Sequence, residues 1–170
     1  MIDFRLVNCL NPMPNIHLTT FIAAPLERVF DLSRSIDLHK KSMAQTGEQA
    51  VAGTTMGLIG IGETVTWKAK HLMKTRIMKI RISEMSRPVS FVDEMVEGDF
   101  KSFRHQHHFK QIDNGIFMID IVDFESPYGK IGKLLNSIYL TKYLRTMLES
   151  RNEFIRNFAE SNKWKDLLNK

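Results

Sequence analysis

Asp93, His105, His107 and Asp120 stand out because each alternates with large apolar side chains in a stretch patterned as β-strand. Alternation with period two sends neighbouring side chains to opposite faces of a sheet. Phe91, Asp93 and Met95 then share a face, as do Phe103, His105, His107 and Phe109, and as do Met118, Asp120, Val122 and Phe124. If the apolar neighbours point inward, two histidines and two carboxylates point inward with them. Buried ionisable groups are costly unless paired, which leaves three chemistries. His105-x-His107 with two nearby carboxylates offers metal-ligand types, although two histidines at i and i+2 also recur by chance. A histidine beside an aspartate can move protons in a cyclisation, dehydration or hydrolysis once burial has tuned its pKa. The favoured expectation is the third, a satisfied polar cluster that orients the sheet or hydrogen-bonds the polar end of an otherwise apolar ligand. No third histidine stands at ligand spacing, so the expectation is of no metal and no cofactor. Covalent catalysis lacks a nucleophile: Cys9 is the only cysteine and falls outside the expected core, and no Gly-x-Ser-x-Gly elbow occurs.

The elements that must position these residues follow from the same periodicities. A strand is expected over 16–22, then a short helix opening at Pro25 with Leu26, Val29 and Phe30 on one face, and a second short helix over 35–43. Gly53, Gly57, Gly60 and Gly62 punctuate a turn carrying Met56, Leu58, Ile59 and Ile61, a pattern expected of a mobile apolar lid. Its spacing matches no nucleotide-binding fingerprint. Strands over 63–71, 75–87, 89–97, 102–112 and 116–125 are separated by short turns, of which Asn114-Gly115 is the strongest hairpin signal. Strands so joined make an antiparallel meander. Pro127, Gly129 and Gly132 then release one long helix, expected over 131–162. Its apolar stripe runs through Leu134, Leu135, Ile138, Leu144, Leu148, Ile155 and Phe158 and is widened by Leu140, Tyr143, Met147 and Phe154. A helix that apolar needs a concave surface to lie against. Arg151 continues the stripe, and pointing inward it is the natural counter-ion of Asp93, Asp120 or an anionic ligand group.

Composition narrows the classes. The 170 residues, 43% hydrophobic and 25% charged, fit one ordinary globular domain over 1–170. Asp3, Arg5 and Asn8 leave no apolar leader in the first ten residues, so the expectation is a soluble cytoplasmic protein with no integral membrane segment. The lone cysteine excludes an internal disulfide and a cysteine zinc cluster. A formal charge of +5 is spread among 19 carboxylates, so no nucleic-acid partner is expected; Lys68, Lys70, Lys79 and Arg81 read as the solvated outer face of two strands. Nothing in the chain specifies an oligomeric state.

Several segments carry a family resemblance. Ala24 to Phe30, the glycine turn, Glu63 to Trp67, Pro88-x-x-Phe91-x-Asp93, His105-x-His107-x-Phe109, and Met118-x-Asp120-x-Val122-x-Phe124 followed by one long helix together resemble the START and birch-pollen-allergen-like superfamily, often called SRPBCC. The likeness spans nearly the whole chain and is greatest to small stand-alone bacterial members labelled ligand-binding or polyketide cyclase-like. It implies an α+β helix-grip fold: a curved antiparallel sheet wrapped around one long C-terminal helix, two short helices after the first strand, and an apolar cavity between sheet and helix. Trp67, Asp93, His105, His107 and Asp120 match the branch's patterned strand residues. Phe103 and Phe124 stand where Trp and Tyr are usual, and Gly98-Asp99-Phe100 where Gly-Pro-Phe is usual. The expected function is binding of a hydrophobic or amphipathic small molecule by Trp67, Asp93, Phe103, His105, His107, Asp120, Phe124, Met147 and Arg151. The alternative is a cyclase or aromatase-type enzyme using the His/Asp cluster.

Overall fold

The computed structural model describes residues 15–71, 73–126 and 133–168, with side chains of the last stretch from 138 onward. β1 (Asn15–Ile22) buries Ile16 and Ile22 on its inner side. At Pro25 the missing N–H and fixed φ of −60° suit a helix start. Behind it α1 (Leu26–Ser33) buries Val29, Phe30 and Leu32. α2 (Ile36–Ser42) is capped by Ser35, whose hydroxyl accepts the Leu38 amide. The chain continues through β2 (Gln49–Gly53), β3 (Thr64–His71), β4 (Lys74–Ser86), β5 (Ser90–Glu97), β6 (Ser102–Ile112) and β7 (Gly115–Glu125). Then come α3 (Lys133–Ala159), a turn at Asn162–Trp164 and the short α4 (Lys165–Leu168).

All strand pairs are antiparallel, in the order β1-β7-β6-β5-β4-β3-β2. Register shifts at one point of the β2–β3 ladder and two points of the β4–β5 ladder break the pairing locally, as bulges that bend a sheet do. The result is a curved α+β helix-grip architecture with α3 on the concave face. α1 plugs one end of the sheet, where Phe30 meets Phe91 and Phe109 edge-on with ring centres 5.6 and 5.4 Å away. α3 lies over the β1–β7 side: Leu140, Leu144 and Leu148 pack on Ile16, Val122 and Phe124, and Ile155 and Ala159 are fully buried. No helix of the described residues is long and apolar enough to cross a membrane.

Five expectations are corrected. β2 is a strand the alternation does not announce, because Gln49-Ala-Val-Ala-Gly53 is an edge segment with mostly small, exposed residues. The 53–62 loop does not expose all its apolar groups: Met56 and Ile61 are exposed, but Ile59 is 3% exposed. Main-chain bonds from Ile59 to Arg34 and from Ile36 to Gly57 stitch that loop to the α1–α2 junction. α3 ends at Ala159 rather than 162, and Ser161 caps the turn that follows. Ile138 is 65% exposed, because it lies two positions from Leu140 and hence about 200° around the helix. The β6–β7 loop is Asp113-Asn114, with Ile112 facing Gly115 across the ladder. Gly115 is required by close approach: a Cβ there would stand 2.3 Å from the Ile22 carbonyl oxygen. Cys9, Pro127, Gly129, Gly132 and the side chains of Leu134 and Leu135 lie outside the described residues.

Candidate functional site

Where β3 to β6 curve away from α3, the fold leaves a cavity of about 450 Å³. Its walls are mainly apolar, with Trp67 and Val65 from β3, Met78 and Ile80 from β4, and Leu144 and Leu148 from α3. Of the nine residues expected at the site, Trp67, Asp93, Phe103, His105, His107, Met147 and Arg151 line this space. Asp120 and Phe124 stand behind the wall, both 0% exposed. Both belong to β7, where α3 meets them directly: Asn152 donates to Asp120, and Leu140, Leu144 and Leu148 pack on the cluster that holds Phe124, so only Val122 between them reaches the cavity.

The polar residues converge at one end. Register across the sheet sets Asp93 opposite His105 and His107 opposite Asp120. His105 Nε2 lies 2.9 Å from Asp120 Oδ1, and His107 Nε2 lies 2.8 Å from Asp93 Oδ2. His107 Nδ1 is 3.1 Å from Asp120 Oδ1, close enough for charge attraction but without the direction of a hydrogen bond. Phe91 stacks on the His107 ring at 4.1 Å. From α3, Asn152 donates to Asp120 Oδ2 at 2.7 Å and to Thr20 Oγ1 at 3.2 Å. Arg151 donates to the Ser33 carbonyl at 3.0 Å and to the Asn152 side-chain oxygen at 3.4 Å, and its guanidinium is 3.7 Å from Asp120.

Electrostatics assign the protons. Burial pushes the His105 pKa down, and the neighbouring His107 pushes it further, against the pull of Asp120 and Asp93. Burial also acts against charge on His107, but the two carboxylates, Asp120 beside Nδ1 and the hydrogen-bonded Asp93 at Nε2, outweigh it and raise its pKa. Burial works to raise the carboxyl of Asp93, but His105, His107 and Arg151 overcome it and leave it lowered. The same contest ends with Asp120 well below the usual carboxylate range, held there by both histidines. Both carboxylates are thereby held toward the ionised form, while a second proton is favoured on His107 and disfavoured on His105, with the Arg151 guanidinium beside them. In its neutral form the His105 ring donates through Nε2 to Asp120, which leaves Nδ1 a lone-pair acceptor 3.8 Å from Asp93 Oδ2.

Asp93, His105 and His107 also offer donor atoms all within 4.8 Å of one another, a group that could hold a metal ion. As arranged, the His107–Asp93 contact is a hydrogen bond, and an imidazolium has no lone pair to give a metal. Ligation would require His107 to lose the proton that the carboxylates favour.

Sequence reasoning misses Asn152, Thr20 and Ser33. Asn152 carries a signal, because it occupies the stripe position between Leu148 and Ile155 that an apolar residue should hold. A second polar group lies at the other end of the cavity and was also missed: His39, Glu48, His71 and Tyr143. His71 Nδ1 is 2.9 Å from the Tyr143 hydroxyl, and His39 stacks on Trp67 at 4.3 Å. Trp164 lies outside the cavity under Arg28, whose guanidinium is 4.3 Å from the ring centre.

No protein-family model matches the chain, and no curated protein does. Solved structures do. The major latex-like protein 151 of Panax ginseng is 18% identical with a TM-score of 0.63, the match covering 86% of this chain and 97% of that one. A protein of Thermus thermophilus is 18% identical with a TM-score of 0.63, over 84% of this chain and 97% of the other. A START superfamily protein of Mycobacterium smegmatis is 12% identical with a TM-score of 0.58, over 82% and 97%. Agreement over so much of each chain at such low identity is agreement in backbone path. This chain has the helix-grip fold of START and birch-pollen-allergen-like structures.

Proposed function

We propose that the protein binds a hydrophobic or amphipathic small molecule between its sheet and α3. The observation that carries this reading is an apolar-walled cavity of about 450 Å³ ending on a cluster of mutually paired polar groups. The size is that of ordinary small-molecule sites, which pair apolar walls with a few fixed polar groups. The fold is one that typically binds hydrophobic ligands. In this reading the apolar body lies against Trp67, Phe103 and Met147, and a neutral polar group meets Asp93, His105 and Arg151. A hydroxyl suits that end, since it can donate to Asp93 and accept from Arg151. A carboxylate would add a further buried negative charge beside Asp93 and Asp120.

Trp67 supplies the assay. In a Trp164→Phe background, decan-1-ol should shift Trp67 emission and raise the melting temperature, with decanoate binding about tenfold more weakly. Asp93→Asn should weaken decan-1-ol while sparing a purely apolar dye. If neither decan-1-ol nor any of a broad panel of apolar ligands changes emission or melting, the binding reading fails.

One feature favours a second reading, a cyclase or aromatase-type enzyme. His105 and His107 stand side by side with their pKa values pushed in opposite directions, by burial on His105 and by the two carboxylates on His107, which is the separation that acid–base work uses. Turnover of a linear poly-β-ketone, lost in His105→Ala with binding retained, would select it.

A further inference from the structure

The second polar group has no part in that anchor. Glu48 precedes β2 and its side chain is 10% exposed; Oε2 is buried with no hydrogen-bond partner among the described residues. His39 Nε2 on α2 is buried and unpartnered in the same way, 3.5 Å from Glu48 Oε1 but misaligned for a hydrogen bond. Both residues line the cavity, as do His71 at the end of β3 and Tyr143 on α3. Glu48 is near enough to act electrostatically on both His71 and Tyr143, so the four belong together. Arg76 and Asp99, paired with each other, and Tyr139 also line the cavity, and Arg76 and Tyr139 act electrostatically on His71 and Tyr143 respectively. A buried carboxylate oxygen with no donor is a standing cost that a ligand's N–H or O–H would remove.

This group is far from the first. Tyr143 precedes Arg151 by eight residues on α3, which is roughly 12 Å along a helix. His71 lies on β3, two strands from Asp93 on β5 and three from His107 on β6, on the order of 10–14 Å at the usual strand spacing. Between the two ends the wall is apolar, with Trp67, Met78, Met147 and Leu148.

Resting on the binding reading above, we propose that Glu48, with His39, His71 and Tyr143, forms a second polar subsite that accepts a hydrogen bond from a hydroxyl or amino group. The ligand class is then an apolar body with a hydrogen-bonding group at each end, one on Asp93 and His105 and the other on Glu48. A ligand with one polar end would leave the second subsite unanswered.

The test compares decane-1,10-diol with decan-1-ol, using Trp67 emission in the Trp164→Phe background and melting temperature. An apolar wall would penalise the added hydroxyl roughly thirtyfold, since it would be buried without a partner. The expected result is that the diol binds at least as tightly as decan-1-ol to the otherwise wild-type protein. Glu48→Leu should restore most of the thirtyfold penalty against the diol and leave decan-1-ol within about threefold. Tyr143→Phe removes one half-buried hydroxyl and provides a reading even if Glu48→Leu folds poorly; a weakened diol and unchanged decan-1-ol are expected again. A diol roughly thirtyfold weaker than decan-1-ol in the unaltered site, with no further change in either variant, overturns the second subsite and leaves the binding reading standing. Binding of neither alcohol, nor of any of the broad apolar panel, would sink the binding reading and the second subsite with it.

Discussion

His105 and His107 stand two residues apart, share the same two carboxylates and hold protons with opposite tenacity. Nitrogen shifts recorded by NMR near neutral pH should show His107 as imidazolium and His105 as the Nε2–H tautomer. The signs carry into stability. His107, raised when folded, contributes stability that is complete below its unfolded value near 6.5 and is lost as pH rises through its folded value. His105, lowered when folded, opposes folding as pH falls below about 6.5. Asp93 and Asp120 contribute stability that is present above about 3.9 and is lost as pH falls through their lowered folded values. Urea midpoints measured from about pH 5 to 8 should peak near 6.5, with His107→Gln flattening the alkaline side and His105→Gln the acid side. A profile that His107→Gln leaves unchanged would contradict the assignment. Asp120→Asn removes the anion that His105, His107, Arg151 and Asn152 all face, and should cost about 3 kcal/mol or more in urea unfolding. The four strand residues were legible because alternation declares a face. Asp120 and Phe124 show its limit: period two says which side a residue is on, not whether a helix already covers it.

At the scale of elements, the 53–62 loop shows how a glycine-rich turn with apolar groups can be attached instead of free. Ile59 enters the main core, Arg34 donates to its carbonyl at 3.0 Å, and Gly57 donates to Asp37. Ile59→Ala should therefore cost about 2–4 kcal/mol, whereas Met56→Ala, 71% exposed, should stay within about 0.5 kcal/mol. Equal and small effects would mean that the loop is detached from the core. The strands were legible to within a residue or two because their turns are short and polar. β2 was not, since Ala and Gly give alternation nothing to display. The second polar group escaped for a different reason: it gathers from a helix, a loop, a strand end and a second helix, and no single periodicity spans such a set.

For the whole molecule, sheet and helix enclose a space that neither could form alone, and a ligand that fills it binds only the folded chain. At a free concentration 100 times its Kd, such a ligand should add about 2.7 kcal/mol of stability, seen as a concentration-dependent rise in melting temperature. A melting temperature indifferent to a ligand that moves Trp67 emission would place the binding site elsewhere. The paired charges on the cavity floor also separate two electrostatic worlds. Positive and negative members of the cluster face one another at short range, so little field reaches out to the medium from it. Mobile ions screen exposed, separated charges over about 10 Å at 0.1 M, and a closed, mutually paired set offers them little to screen. Salt should therefore govern what the basic outside of this protein meets, while leaving the affinity of a neutral guest untouched.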